Sequence, residues 1–177
     1  EKLISNNNII IDSKSGYSGA GRGVHKKYKR KNLYESLSAY GIPNHRHNSE
    51  IQQELDLCTG KSNRFHFTPH LTPMFRGILT SIYVDLKKGI SVSKVNSVLN
   101  NYYNNQVFVS IAKPGTLLST NDVINTNKCI ISVCKTKSKN KLIILSVIDN
   151  LIKGGSGQAV QNMNILYNFK ENEGLSV

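Results

Sequence analysis

Short apolar runs closed by turn residues alternate along this chain with segments of helical spacing. Ile9-Ile10-Ile11-Asp12 is the first run and predicts a buried strand. Residues 65–71 read as a strand that meets turns at Pro69 and Pro73, and Ile78–Leu86 is rich in β-prone residues. Val107–Ile111 predicts another strand. Cys129–Lys135 and Leu142–Ile148 flank the polar, basic stretch Thr136–Lys141, which is a β-hairpin pattern. Val92, Val95, Val98 and Leu99 recur at helical spacing and predict an amphipathic helix over 92–103. Asn48-Ser49-Glu50 ahead of Ile51, Leu55 and Leu57 predicts a helix opened by a polar cap. Gly154-Gly155-Ser156-Gly157 leads into Ala159, Val160, Met163, Ile165 and Leu166, a C-terminal helix over about residues 155–169. Residues 13–23 hold four glycines and read as a loop. Strands with two or three interspersed helices predict an α+β fold: a mixed, largely antiparallel sheet with helices on one face. There is no internal repeat and no long linker, so residues 1–177 are expected to form a single domain.

Composition narrows the classes. The longest apolar stretches, such as Leu142–Leu145, fall far short of the about 20 residues a membrane helix needs. The net charge of +12 invites an anionic partner, although Asn- and Lys-rich tracts such as Asn6-Asn7-Asn8 run throughout and dilute that signal. Three cysteines, Cys58, Cys129 and Cys134, stand at no metal-binding spacing and fit reduced thiols in a cytosolic or organellar-matrix protein, the cytoplasm being the expected site. A chain opening Glu1-Lys2-Leu3 shows no secretory leader, and the missing initiator Met suggests a segment of a longer product.

All five histidines and all five arginines precede residue 77, which concentrates the candidate chemistry in the first half. Ser15-Gly16-Tyr17-Ser18-Gly19-Ala20-Gly21-Arg22 combines small residues, which let backbone N–H groups approach an anion, with a guanidinium. It reads equally as a surface loop. His45-Arg46-His47, followed by Glu50, offers imidazoles for proton transfer. A metal site and a plain polar loop are the rivals there, and a His-x-His pair without further ligands is weak for zinc. Pro69 and Pro73 stiffen the approach to Arg76, either to hold it for an anion or simply to end a strand. Asp149-Asn150-Leu151-Ile152-Lys153-Gly154 ends a strand and opens a helix, where free N–H groups favour phosphate or amide ligands.

Taken together, KSGYSGAGR (14–22), HRHNSEI (45–51), FTPHLTPMFRGI (67–78) and DNLIKGGSGQAVQNMN (149–164) resemble the C-terminal catalytic domain of the N-acetyl-γ-glutamyl-phosphate reductase family, in its order and approximate spacing. The resemblance runs from Ile9 to Val177. It implies a glyceraldehyde-3-phosphate-dehydrogenase-like α+β domain, with the helix near 155–169 packed on a separate NADP-binding Rossmann domain. The family's nucleophilic cysteine lies in a Gly-Cys-Tyr-Pro-Thr segment that this sequence lacks, so the isolated domain is expected to be inactive. The implied reaction is reduction of N-acetyl-L-glutamyl 5-phosphate to the semialdehyde with NADP(H). By the same resemblance His47, or else His45, is the acid/base. Ser15, Gly16, Ser18, Gly19, Gly21, Arg22, Arg46 and Arg76 bind the acyl phosphate, and Asn150, Lys153 and Gly154 lie at the cofactor. A homo-oligomer, dimer or tetramer, is implied, with no metal, membrane or nucleic acid.

Two alternatives stay in view. An aspartate-semialdehyde-dehydrogenase-like enzyme shares the acyl-phosphate chemistry and an Asn-Leu-x-Lys-Gly stretch, but HRHNSEI and SGAGR favour the acetylglutamyl family. A basic nucleic-acid module would use Lys26–Lys31. Only 7% aromatics and no Trp argue against it.

Overall fold

The computed structural model describes residues 3–6, 8–21 and 35–177. Arg22 and the basic run Lys26–Lys31 lie outside the described residues. Among the described residues seven strands make one sheet: β1 (Ile9–Gly16), β2 (Ser38–Ala39), β3 (Phe65–Thr72), β4 (Ile78–Asp85), β5 (Val109–Ile111), β6 (Cys129–Lys135) and β7 (Lys141–Ile148). Their order is β2-β3-β1-β4-β7-β6-β5. β1 pairs in parallel with β3 and β5 with β6, and the other four pairings are antiparallel. The mixed, largely antiparallel sheet expected from the hydrophobic pattern is the one observed.

Among the described residues three α-helices accompany it: α1 (His47–Thr59), α2 (Val92–Tyr103) and α3 (Gly157–Leu166). The apolar faces of α1 and α2 cover the same side of the sheet. Leu55, Val92, Val95 and Leu99 pack there on Ile9, Ile11, Val84, Val133 and Leu142. Val133 and Leu142 are fully buried. The opposite side leaves Ile10 and Tyr83 38% and 40% exposed. It also carries a polar cluster in which Asp12 lies 2.8 Å from Lys14 Nζ and 3.1 Å from His70 Nδ1.

Where the elements depart from expectation, local chemistry explains it. β1 continues through Ser13, Lys14, Ser15 and Gly16, which read as loop, because its neighbours β3 and β4 pair with it along that whole length. The 3-10 turn Tyr17–Ala20 then follows. α1 starts at His47, ahead of the expected Asn48-Ser49 cap, and Arg46 takes the N-cap position without a side-chain cap bond. The His45 ring supplies one instead: its Nδ1 accepts from the His47 N–H at 3.2 Å. The Gly-rich segment before α3 is a π-type turn, Ile152–Ser156. Its exit is tight, since a Cβ on Gly157 would meet Asn127 Oδ1 at 2.5 Å.

Candidate active site

The helix-covered face of the sheet opens into a cavity of about 780 Å³. Its walls come from the start of α1, the turn after β1, and the residues that follow β7. His45, Arg46 and His47 line one side, and Ser15, Gly16 and Gly19 another. Asn150 and Gly154 also join the lining, Asn150 beside the turn after β1. Three sequence segments far apart in the chain therefore meet in one space.

Glycines make that approach possible at two points. A Cβ on Gly16 would sit 2.5 Å from the Phe75 carbonyl oxygen, a backbone atom that cannot move aside cheaply. Gly77 has φ of +100°, and a Cβ there would meet Thr120 at 2.5 Å. The Gly77 N–H donates to Asn150 Oδ1 at 2.7 Å, and Asn150 Nδ2 donates to Ser18 Oγ at 2.9 Å. Asn150 thus straps the turn after β1 to the start of β4 with its amide oxygen and one of its two N–H donors. Ser18 also donates to the Phe75 carbonyl. It holds the wall rather than facing the cavity.

Arg76 does not line the cavity. Its Nη1 lies 3.1 Å from Oδ2 of Asp149, whose side chain is fully buried. Asp149 also accepts from the N–H groups of Asn125, Leu151 and Ile152 at 2.9, 2.8 and 3.0 Å. Burial by itself raises the pKa of this carboxyl, but those N–H groups and the guanidinium outweigh it and hold it below the usual value. Lys153 is likewise engaged. Its Nζ donates to Gln161 Oε1 at 2.7 Å and lies 5.4 Å from the Phe108 ring centroid. Desolvation lowers its pKa. Gly21, with φ of +75°, ends the 3-10 turn and is exposed outside the lining. Among the described residues Arg46 is the cavity's one permanently charged side chain, and no Asp or Glu lines it.

The two imidazoles are differently placed. His45 is wedged edge-on against Tyr40, His47 and Phe67, with ring centroids 5.4, 4.8 and 5.3 Å apart. Accepting at Nδ1 leaves its neutral form protonated at Nε2. Desolvation, then the charges of His47 and Arg46, lower its pKa, while Glu50 pulls the other way. His45 is therefore expected to stay neutral to a lower pH than a free histidine. Proton NMR titration should show its midpoint below about 6.5. Arg46→Ala should move that midpoint upward, and an unmoved or lowered midpoint would contradict this account. Linkage has the same sign: stability is fully present above the unfolded value and declines as pH falls toward the folded one.

Sequence patterning did not single out Ser13, Thr80 and Ser146, which also line the cavity. Only the strand register brings them together, and no local motif marks it. Among the described residues no group of three or more His, Cys, Asp or Glu could hold a metal ion. No helix among them is long and apolar enough to cross a membrane.

Comparison with known proteins adds independent findings. A family model described as semialdehyde dehydrogenase, dimerisation domain, matches residues 1–150. The N-acetyl-gamma-glutamyl-phosphate reductase of Staphylococcus aureus strain USA300 is 44% identical over 176 residues, covering 99% of this chain and 51% of that protein. The protein of the same name from strain MRSA252 is 45% identical over 175 residues. The chain spans about half the length of these curated relatives. Among solved structures, aspartate semialdehyde dehydrogenase from Francisella tularensis matches with a TM-score of 0.69 at 13% identity, over 93% of this chain and 58% of that one. Aspartate semialdehyde dehydrogenase II from Vibrio cholerae matches with a TM-score of 0.68 at 14% identity, over 91% and 55%. At such identity these two matches speak for the fold alone, and the fold agrees.

Proposed function

Because this chain belongs to the semialdehyde dehydrogenase dimerisation-domain family, we propose that it forms the substrate-binding half of a cytoplasmic N-acetyl-L-glutamyl 5-phosphate reductase. The observation that carries the proposal is the shared cavity. Two imidazoles, one guanidinium and a glycine-lined turn face one space large enough for an acyl phosphate.

In this reading a thiolate from the other half of the enzyme attacks the acyl carbonyl and expels phosphate, leaving a thioester. Cys58, Cys129 and Cys134 are not in the cavity lining, so none of them serves. When bound, NADPH supplies the hydride that reduces the thioester carbon. His47 gives a proton to the oxygen that becomes negative at that stage and recovers it as the thiolate leaves and the aldehyde forms. His45 holds the first turn of α1 and orients its neighbour. Arg46 binds an anionic end of the substrate, phosphate or α-carboxylate. The N–H groups of Gly16, Tyr17 and Ser18 are bonded to the carbonyls of Gly77, Met74 and Phe75, so this turn borders the same anion through its small residues rather than as a donor nest.

Asn150 and Gly154 in the lining, with Lys153 close by in sequence, suit the flat nicotinamide better than its phosphates. Gly154 is exposed in the lining, and a Cβ there would meet its nearest atom, Ile148 Cδ1, only at 3.5 Å. The amide of Asn150 and the amine of Lys153 are already bonded within the protein. These two would shape the cofactor's surroundings rather than grip its charges.

Two surfaces complete the proposal. Met163, Ile165, Leu166, Tyr167 and Phe169 are exposed at the C-terminal end and are assigned to packing on the nucleotide-binding half. The sheet face around Ile10 and Tyr83, left part-exposed by the described residues, is assigned to a second copy, giving a dimer or a tetramer.

The test is NADPH consumption by the full-length enzyme that contains this chain. N-acetyl-L-glutamyl 5-phosphate should be turned over and β-aspartyl phosphate should not, and the reverse preference would sink the proposal. Arg46→Ala should raise KM for the acyl phosphate by about 10-fold or more, the scale of a lost charged hydrogen bond. An equal rise in KM for NADPH would argue against that role.

A further inference from the structure

The helix-facing side of the sheet is apolar at Ile11, Phe67, Ile82 and Ile144, yet hydroxyls interrupt it across three adjacent strands. Ser13 on β1 stands opposite Thr80 on β4, and Thr80 stands opposite Ser146 on β7. All three line the cavity. Ser13 Oγ and Thr80 Oγ1 are 2.8 Å apart, and one must donate to the other. Whichever donates, the second hydroxyl keeps its proton free, and lone pairs remain on both. Ser146 Oγ meets the sulfur of Cys129 at 3.5 Å, a weak partner.

Hydroxyls here forgo the apolar burial that valine would give, and they cost stability when incompletely bonded. The row therefore weakens the core while leaving unused hydrogen-bonding capacity toward the cavity. It is neutral, and among the described residues no carboxylate accompanies it in the lining. A free ammonium would find no opposite charge there and would have to share the cavity with Arg46. An amide fits the same row: its carbonyl takes the free hydroxyl proton, and its N–H meets a lone pair.

We infer that the Ser13–Thr80–Ser146 row receives the substrate's acylated amino group as an amide and sets the preference for an N-acylated over a free-amine substrate. This rests on the reductase reading above and adds to it the residues that read the blocked amine.

The test uses the full-length enzyme, with N-acetyl-L-glutamate and L-glutamate as competitive inhibitors against the acyl phosphate. The unmodified enzyme should bind the acetylated probe the more tightly. Thr80→Val and Ser146→Ala should each weaken the acetylated probe by about 10-fold while changing L-glutamate by less than about 2-fold. Thr80→Ser, which keeps the hydroxyl, should restore the preference, which a purely structural role would not predict. If Thr80→Val does not fold, Ser146→Ala and Ser13→Ala decide. An unchanged ratio of inhibition constants in variants that still reduce the acyl phosphate overturns the inference and leaves the reductase standing. If the unmodified enzyme does not reduce N-acetyl-L-glutamyl 5-phosphate, the reductase proposal fails first and the inference falls with it.

Discussion

Replacing His47 with alanine in the full-length enzyme will lower kcat by about 10²–10⁴-fold, the usual scale for lost acid/base help. The expectation comes from position. His47 opens α1 and faces the cavity, and its backbone N–H is already satisfied by His45. Removing its side chain leaves that bond in place, so the melting temperature should hardly move. His45→Ala should behave differently. It removes the cap on α1 and a ring packed against Tyr40 and Phe67. Loss of a cap costs about 1 kcal/mol and loss of aromatic contacts a similar amount, so stability should fall along with activity. Steady-state kinetics and thermal melts of both variants separate the roles. If His45→Ala loses more activity than His47→Ala while staying fully folded, the assignment of proton transfer is reversed.

Asp149→Asn is expected to destabilise the fold by about 2–4 kcal/mol. The native carboxylate receives three backbone N–H bonds and the Arg76 guanidinium with its side chain fully buried. An amide there has one accepting oxygen. Its NH2 group must oppose either the Asn125 N–H and Arg76 or the two N–H groups of Leu151 and Ile152. Lost charged hydrogen bonds are worth about 1.5–3 kcal/mol, and a stranded buried donor costs about 1–3 kcal/mol. The partial exposure of Arg76 keeps the sum below that of a fully buried pair. The pH dependence adds a second signature. The carboxyl pKa is depressed in the fold, so its stabilisation is complete above the unfolded value of about 3.9 and disappears as pH falls through the folded one. The variant should lose that part of its acid sensitivity. Urea melts between neutral and acid pH measure both effects. A variant as stable as its parent at pH 7 would mean that the Asp149 network carries little weight.

Periodic segments were legible from the sequence. The Val92–Tyr103 helix and the Cys129–Lys135 strand match the residues their spacing marks, because each buries a continuous apolar stripe. The second half of β1 was hidden, since Ser13, Lys14 and Ser15 carry no hydrophobic signal and are held as a strand by pairing on both sides. β2, two residues long, offers no pattern at all. The candidate site divides in the same way. Its imidazoles and glycine turn stood out as local clusters. The Arg76–Asp149 pair joins residues 73 apart, and the hydroxyl row depends on register, so neither leaves a trace in a linear reading. The bond from Lys153, expected at the cofactor, to Gln161 on α3 is likewise unmarked by any local motif.

The sheet order also constrains how the protein is made. β4 sits between β1 and β7, and the anchors for Arg76 and Gly77 are Asp149 and Asn150, just past the end of β7. A nascent chain must therefore emerge from the ribosome beyond residue 150 before its fourth strand gains its second neighbour. Until then the walls assembled from its first eighty residues lack the Asp149 and Asn150 braces, and the recess they frame cannot be completed.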